Sequence, residues 1–187
     1  MAMDAAGPTG PRDLMLVVAV EAGADLLRVA VPSTNVVKIA GFPAATAVFS
    51  TPSMVYLADS SKIASVTKPG VASTFAPITS PVRQLVADEA TVYWLDATSS
   101  LMGSPVSGGA PTVRAQLPAK PSGLAHFGDD LFITFSDAGE VWAFNKTGAA
   151  PERRIATGQG RPAEILADDS GVYWLNRKDG TVMHVAR

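Results

Sequence analysis

Four stretches of this 187-residue chain superimpose on one another, and any fold it adopts must accommodate that repetition. Pro43 to Asp59 reads PAATAVFSTPSMVYLAD, Pro81 to Asp96 reads PVRQLVADEATVYWLD, Pro121 to Phe135 reads PSGLAHFGDDLFITF, and Pro162 to Asn176 reads PAEILADDSGVYWLN. The leading prolines recur at about 40 residues, and a second column, Tyr56, Tyr93, Phe132 and Tyr173, keeps the same period. A unit of that length cannot bury its apolar surface alone, so successive units must stack on one another.

Within each unit, short apolar runs alternate with turn residues, and no stretch sustains the spacing of an amphipathic helix. In the second unit, Gln84 to Ala87, Thr91 to Asp96, Leu101 to Val106 and Thr112 to Leu117 read as four strands separated by polar or glycine-bearing turns. The third unit repeats this, with Gly139 to Phe144 as its third strand and Arg153 to Thr157 as its fourth. The 16 glycines and 14 prolines are scattered along the chain, where they supply the turns such a fold needs. Four strands per unit predict an all-β fold, a β-propeller of four-stranded antiparallel blades.

The segments VYWLD (Val92 to Asp96) and VYWLN (Val172 to Asn176) each follow a proline-led strand and an acidic turn. In this they resemble the YWTD-type and NHL-like blades of six-bladed β-propellers, over roughly Leu14 to Arg187. Where that family has Thr, this chain has Leu95 or Leu175; the third unit has Phe-Ile-Thr-Phe and the first complete unit Tyr-Leu-Ala-Asp. The resemblance implies the fold and does not carry over receptor-type ligand binding.

Residues 1–13 (MAMDAAGPTGPRD) are small and polar and are expected to form a disordered lead. The remainder divides into blades at about 14–41, 42–79, 80–118, 119–158 and 159–187, the first and last partial. Leu14 to Glu21, Leu26 to Val31 and Val36 to Ala40 read as the second, third and fourth strands of a blade without its first. Thr181 to Arg187 reads as the third strand of a blade without its fourth. The repeats therefore predict a partial propeller or a strained five-bladed ring. A partial ring exposes a sheet face at each end: Leu14, Leu16, Val18, Leu27 and Val29 at one, and Val172, Trp174, Val182 and Val185, or the alternate set, at the other. Self-association through the terminal blades would cover both.

The apolar run Leu14 to Val20 imitates a signal peptide ahead of Ala22-Gly23-Ala24, but Asp13 and Glu21 bracket it with charge, and it reads as a buried strand. Glu21, Asp25 and Arg28 interrupt the one long apolar region, so no membrane span is expected. No compartment is assigned, and export stays open if the chain is a fragment.

A hydrophobic content of 47% is enough for a core, and a formal charge of −2 with Lys and Arg spread over the chain argues against nucleic-acid binding. With 0 cysteines and 2 histidines, thiolate and multi-histidine metal centres are ruled out. No nucleophile elbow, phosphate loop or zinc-protease motif occurs, and no catalytic residue or metal ligand is assigned. The pairs Asp129-Asp130 and Asp168-Asp169 read as turn residues, and Tyr93-Trp94 and Tyr173-Trp174 as packing on both faces of a central strand.

One polar column remains. Asp59, Asp96 and Asn176 each lie three residues after the aromatic column, and Glu21 joins them if Val18 is its Tyr equivalent; Phe135 breaks the series. Either each side chain accepts hydrogen bonds from the amides of the following turn, or the column rings a channel mouth and coordinates calcium through oxygen. In the family resembled, the corresponding Asp is largely a blade-architecture residue. The expected function is a non-catalytic repeat module that binds a protein, peptide or carbohydrate partner. The alternatives are a calcium-dependent, lactonase-like hydrolase, which the resemblance to six-bladed propellers suggests, and a truncated gene product.

Overall fold

The computed structural model describes residues 12–20, 23–31, 36–42, 45–67 and 72–186, with side chains from Ala45 onward. Its strands are β1 (Arg12–Val20), β2 (Gly23–Val31), β3 (Val36–Phe42), β4 (Ala47–Ser50), β5 (Met54–Ala58), β6 (Lys62–Thr67), β7 (Ala72–Pro77), β8 (Val82–Ala87) and β9 (Thr91–Asp96). They continue with β10 (Ser100–Pro105), β11 (Thr112–Gln116), β12 (Gly123–Phe127), β13 (Asp130–Phe135), β14 (Glu140–Asn145), β15 (Arg153–Ala156), β16 (Pro162–Ala167), β17 (Gly171–Asn176) and β18 (Thr181–Ala186). Consecutive strands pair antiparallel into five successive sheets: β1-β2-β3, β4-β5-β6-β7, β8-β9-β10-β11, β12-β13-β14-β15 and β16-β17-β18. No helix occurs among the described residues. β1 starts at Arg12, two residues inside the expected lead, and Glu21 lies outside the described residues.

The second strand of each complete sheet is buried on both faces. Tyr56, Tyr93 and Phe132 are 2%, 3% and 2% exposed, and each packs toward the following sheet. The next residue in the chain points the other way: Trp94 lies in the cluster of Tyr56, Ile133 in that of Tyr93, and Trp174 in that of Phe132. Alternation along a strand thus places two large side chains side by side in sequence and in different cores in space. Burying one such side chain is worth about 1.5–3 kcal/mol, so the interfaces between sheets carry most of the apolar stabilisation.

Sheets meet through their first strands, β4 on β8, β8 on β12 and β12 on β16. The approach is tightest at Gly123, where an added Cβ would lie 2.3 Å from the Ala163 carbonyl oxygen. There the buried Thr134 hydroxyl donates to that carbonyl at 2.6 Å, so the one polar residue in its column is matched across the interface. Leu124 N–H donates to Gln84 Oε1 at 2.9 Å and Ser122 Oγ to the Pro162 carbonyl at 3.1 Å, linking further sheets.

A register shift recurs where third and fourth strands pair, at Ile63/Ala64, Leu101/Met102 and Val141/Trp142. The β2–β3 pair carries the same irregularity at Leu26/Leu27. The β1–β3 sheet shares this irregularity in its last pair with the second, third and fourth strands of a complete sheet, while β16–β18, shifted in the first pair, pair like first to third strands. Two expectations need correction. Tyr173 sits at the equivalent position in β17 yet is only half-buried, because no described sheet follows it. Val172 and Trp174, expected on the open terminal face, are 1% and 4% exposed against the preceding sheet, and the open face is the alternate set, including Val182.

Truncating Phe132 to Ala should therefore cost about 3–5 kcal/mol in urea denaturation, whereas Tyr173→Ala should cost roughly half of that or less. Equal losses would contradict the assignment of faces.

Candidate functional site

Each sheet has two ends, one bearing the turns between second and third strands and the other the turns between first and second strands. The polar column lies at the first of these. Asp59 Oδ1 accepts from Ser61 N–H (2.7 Å), Ser61 Oγ (2.9 Å) and Lys62 N–H (2.9 Å). Burial by itself would raise this carboxyl, but the Ser61 and Lys62 amides, the Ser61 hydroxyl and the Lys62 charge outweigh it and hold it below the usual range. Asp96 Oδ1 likewise accepts from the amides of Thr98 and Ser100, both at 2.9 Å. Asn176 donates through Nδ2 to Gln159 Oε1 and Thr181 Oγ1, both at 3.3 Å, and its Oδ1 is buried without a hydrogen-bond partner. Asp59 and Asp96 each close their own turn. The described residues contain no group of three or more His, Asp or Glu side chains arranged to hold a metal ion.

The corresponding turn after β13 uses a different device. Phe135 takes the column position, and Gly139 at φ 66° donates its N–H to the Phe135 carbonyl at 2.9 Å. A Cβ at Gly139 would stand 2.7 Å from the Gln159 carbonyl oxygen, so glycine is required by both conformation and space.

The opposite end holds a cleft of about 620 Å³, formed where the second, third and fourth sheets meet. Its apolar wall comes from Phe49, Met54, Tyr56 and Val106, and its polar wall from Asp88, Glu89 and His126. Asp88 sits at the turn after β8, with its side chain 11% exposed, and Oδ1 accepts from the amides of Ala90 (2.8 Å) and Thr91 (2.7 Å). Its other oxygen meets Lys146 Nζ at 3.2 Å and lies 3.8 Å from His126 Nε2. Lys146 Nζ also donates to the Gly128 carbonyl at 3.0 Å and lies 3.5 Å from Asp129. His126 is held by a 3.0 Å contact between Nε2 and the same carbonyl, and its ring stacks toward Tyr93 with centroids 6.4 Å apart.

This cluster joins residues 58 apart in sequence. Its one sequence signal is the acidic turn that Asp88 shares with Asp168, which also closes its own turn by accepting from Ser170 and Gly171. Nothing in the spacing announces that Lys146 would reach Asp88 from a neighbouring sheet. Asp130, read as a turn residue, additionally pairs with Arg153.

The architecture recurs in solved structures. A chain in the nidogen–laminin complex matches with a TM-score of 0.75 at 16% identity, over 92% of this chain and 73% of that one. Virginiamycin B lyase from Staphylococcus aureus matches with a TM-score of 0.67 at 13% identity, over 95% and 74%. The computationally designed Ika8 protein matches with a TM-score of 0.72 at 16% identity, over 94% and 56%.

The fold is a β-propeller. Its radial blades explain why first strands make the contacts between sheets and why the cleft opens where three blades converge. No protein-family model and no curated protein matches the sequence. The propeller includes a binding component of a laminin complex and an enzyme among its structural neighbours, so fold alone does not select a function. No helix among the described residues is long and apolar enough to cross a membrane.

Asp88 offers a direct check on the cleft wall. Burial would raise its carboxyl, but the Ala90 and Thr91 amides and the Lys146 ammonium prevail and lower it below its ordinary value of 3.8. A depressed carboxyl stabilises the fold fully above its unfolded pKa and loses that contribution as pH falls through the folded value. Asp88→Ala should cost about 1–3 kcal/mol at pH 7, and the difference from wild type should shrink below about pH 4. A deficit unchanged at low pH would contradict the charge-based account.

Proposed function

We propose that this propeller is a non-catalytic repeat module that binds a protein or peptide partner by receiving an apolar side chain in the cleft between its second, third and fourth blades. The observation that supports this reading is the division of labour in that cleft. Phe49, Met54, Tyr56 and Val106 provide an apolar wall, while the Asp88 carboxylate is committed to two backbone amides and Lys146. A pocket with an apolar wall and a few fixed polar groups is suited to side-chain recognition. Glu89, exposed at the rim, adds a negative charge that favours a cationic residue beside the apolar anchor.

A second reading is an enzyme. It draws on the lyase among the structural neighbours and on the approach of His126 to Asp88 within the cleft. Its calcium-dependent, lactonase-like form would instead use Glu21, Asp59, Asp96 and Asn176. The use of Asp59 and Asp96 in their own turns favours the binding reading. Calcium titration monitored by thermal shift separates the two, since a channel metal site raises the melting temperature by linkage.

The binding reading is tested by selecting peptides from a displayed library against the folded chain, with a glycan array in parallel. The expected outcome is a convergent peptide with an apolar anchor, whose affinity falls about tenfold or more in Met54→Asp. Unchanged affinity in that variant, or carbohydrate binding in place of peptide binding, would contradict it.

A further inference from the structure

At one place the aromatic column carries a hydroxyl that packing does not require. Phe132 fills the same position in the fourth sheet at 2% exposure, so a ring alone completes the interface. Tyr173 keeps a hydroxyl but shares a hydrogen bond with Ser170 Oγ at 2.8 Å. Tyr56 differs from both. It lines the cleft between the second, third and fourth blades although it is only 2% exposed, and its hydroxyl makes no hydrogen bond among the described residues. The Tyr93 hydroxyl also lacks such a bond, but Tyr93 is not part of the cleft wall. A buried hydroxyl without a partner is a cost to the fold that a bound acceptor would offset.

The ring of Tyr56 is fixed before any ligand arrives. Phe75 packs edge-on against it with centroids 5.3 Å apart and an interplanar angle of 71°, and Phe49 stands opposite it in the β4–β5 register. Burial raises the phenol above its ordinary value, so at neutral pH the hydroxyl keeps its proton and can donate. The other hydroxyls of the cleft are spent or solvated. Thr51 Oγ1 donates to the Met54 carbonyl at 3.3 Å and accepts from the Met54 amide at 3.1 Å, Ser50 Oγ donates to the Thr51 carbonyl at 3.2 Å, and Ser53 is exposed. The polar wall supplies acceptors instead, the Asp88 carboxylate and that of Glu89, which has no ion pair or hydrogen bond among the described residues.

We propose that the apolar anchor received by this cleft is a tyrosine side chain of a peptide partner, whose phenolic oxygen accepts a hydrogen bond from the Tyr56 hydroxyl. This rests on the binding reading above and adds the identity of the anchor. An aromatic ring suits the wall of Phe49, Met54 and Val106, and its single polar tip matches the single buried donor. A carboxylate tip would be repelled by Asp88 and Glu89. A carboxamide would bring two N–H donors into a wall that is otherwise apolar. Phenylalanine would cover the Tyr56 hydroxyl and leave it unpaired, which is how a site built around a hydroxyl rejects the analogue lacking one.

The test selects a random phage-displayed peptide library in parallel on the wild-type chain, Tyr56→Phe and Tyr173→Phe. Wild type and Tyr173→Phe, whose lost hydroxyl lies outside the cleft, are expected to enrich a tyrosine at the anchor position. Replacing that tyrosine by phenylalanine in the selected peptide should weaken binding about fivefold or more. For Tyr56→Phe, with an unchanged circular dichroism spectrum, the same replacement should change affinity about twofold or less. If Tyr56→Phe does not fold, exchange of the Tyr56 hydroxyl proton in wild type reads the same bond, and the tyrosine peptide should slow it more than the phenylalanine form. An apolar anchor with no preference for tyrosine, or a preference that survives in Tyr56→Phe, would overturn this inference and leave the binding reading standing. No enrichment, or peptides that bind wild type and Met54→Asp equally, would overturn both.

Discussion

Everything in this propeller depends on the burial of second strands from both sides. A strand presents alternate residues to opposite faces, and a blade has a neighbour on each face, so the strand between them must be apolar at consecutive positions. Tyr93 and Trp94 satisfy this requirement in one blade, Phe132 and Ile133 in the next. The turns are subordinate to it. Asp59, Asp96, Asp88 and Asp168 each bind the amides of a tight turn, which sets where a strand ends and fixes which of its residues face which neighbour. A slip of one residue would exchange the two faces, placing Tyr93 where Trp94 belongs.

That requirement explains which parts of the fold were legible in the sequence. The aromatic column and its apolar successor repeat because packing recurs at each interface, so the order of strands within a blade could be anticipated from spacing. Thr134 and Phe135 obscured one repeat. Thr134 is tolerated where the other units have Ala58, Leu95 and Leu175 because its hydroxyl meets the Ala163 carbonyl across the interface. Phe135 is tolerated in the acidic column because Gly139 makes the following turn with backbone atoms alone. Both substitutions depend on partners in another blade or turn, and so no periodicity reveals them.

The cleft was less legible for the same reason. Asp88 comes from the third blade and His126 and Lys146 from the fourth, with no common spacing, and their pairing exists because the propeller brings their turns to one end. Sequence reasoning instead singled out the opposite end, where regular spacing made the Asp column conspicuous. Repetition marks what every blade needs, which is architecture.

A double-mutant cycle tests the two-sided packing most directly. Tyr93 and Ile133 belong to one cluster although they lie on different blades, whereas Tyr93 and Trp94 are adjacent in sequence and belong to different clusters. The account predicts a coupling of about 0.5–3 kcal/mol between truncations at Tyr93 and Ile133, and additivity within about 0.5 kcal/mol for Tyr93 and Trp94. Strong coupling between the sequence neighbours with additivity across the blades would contradict it.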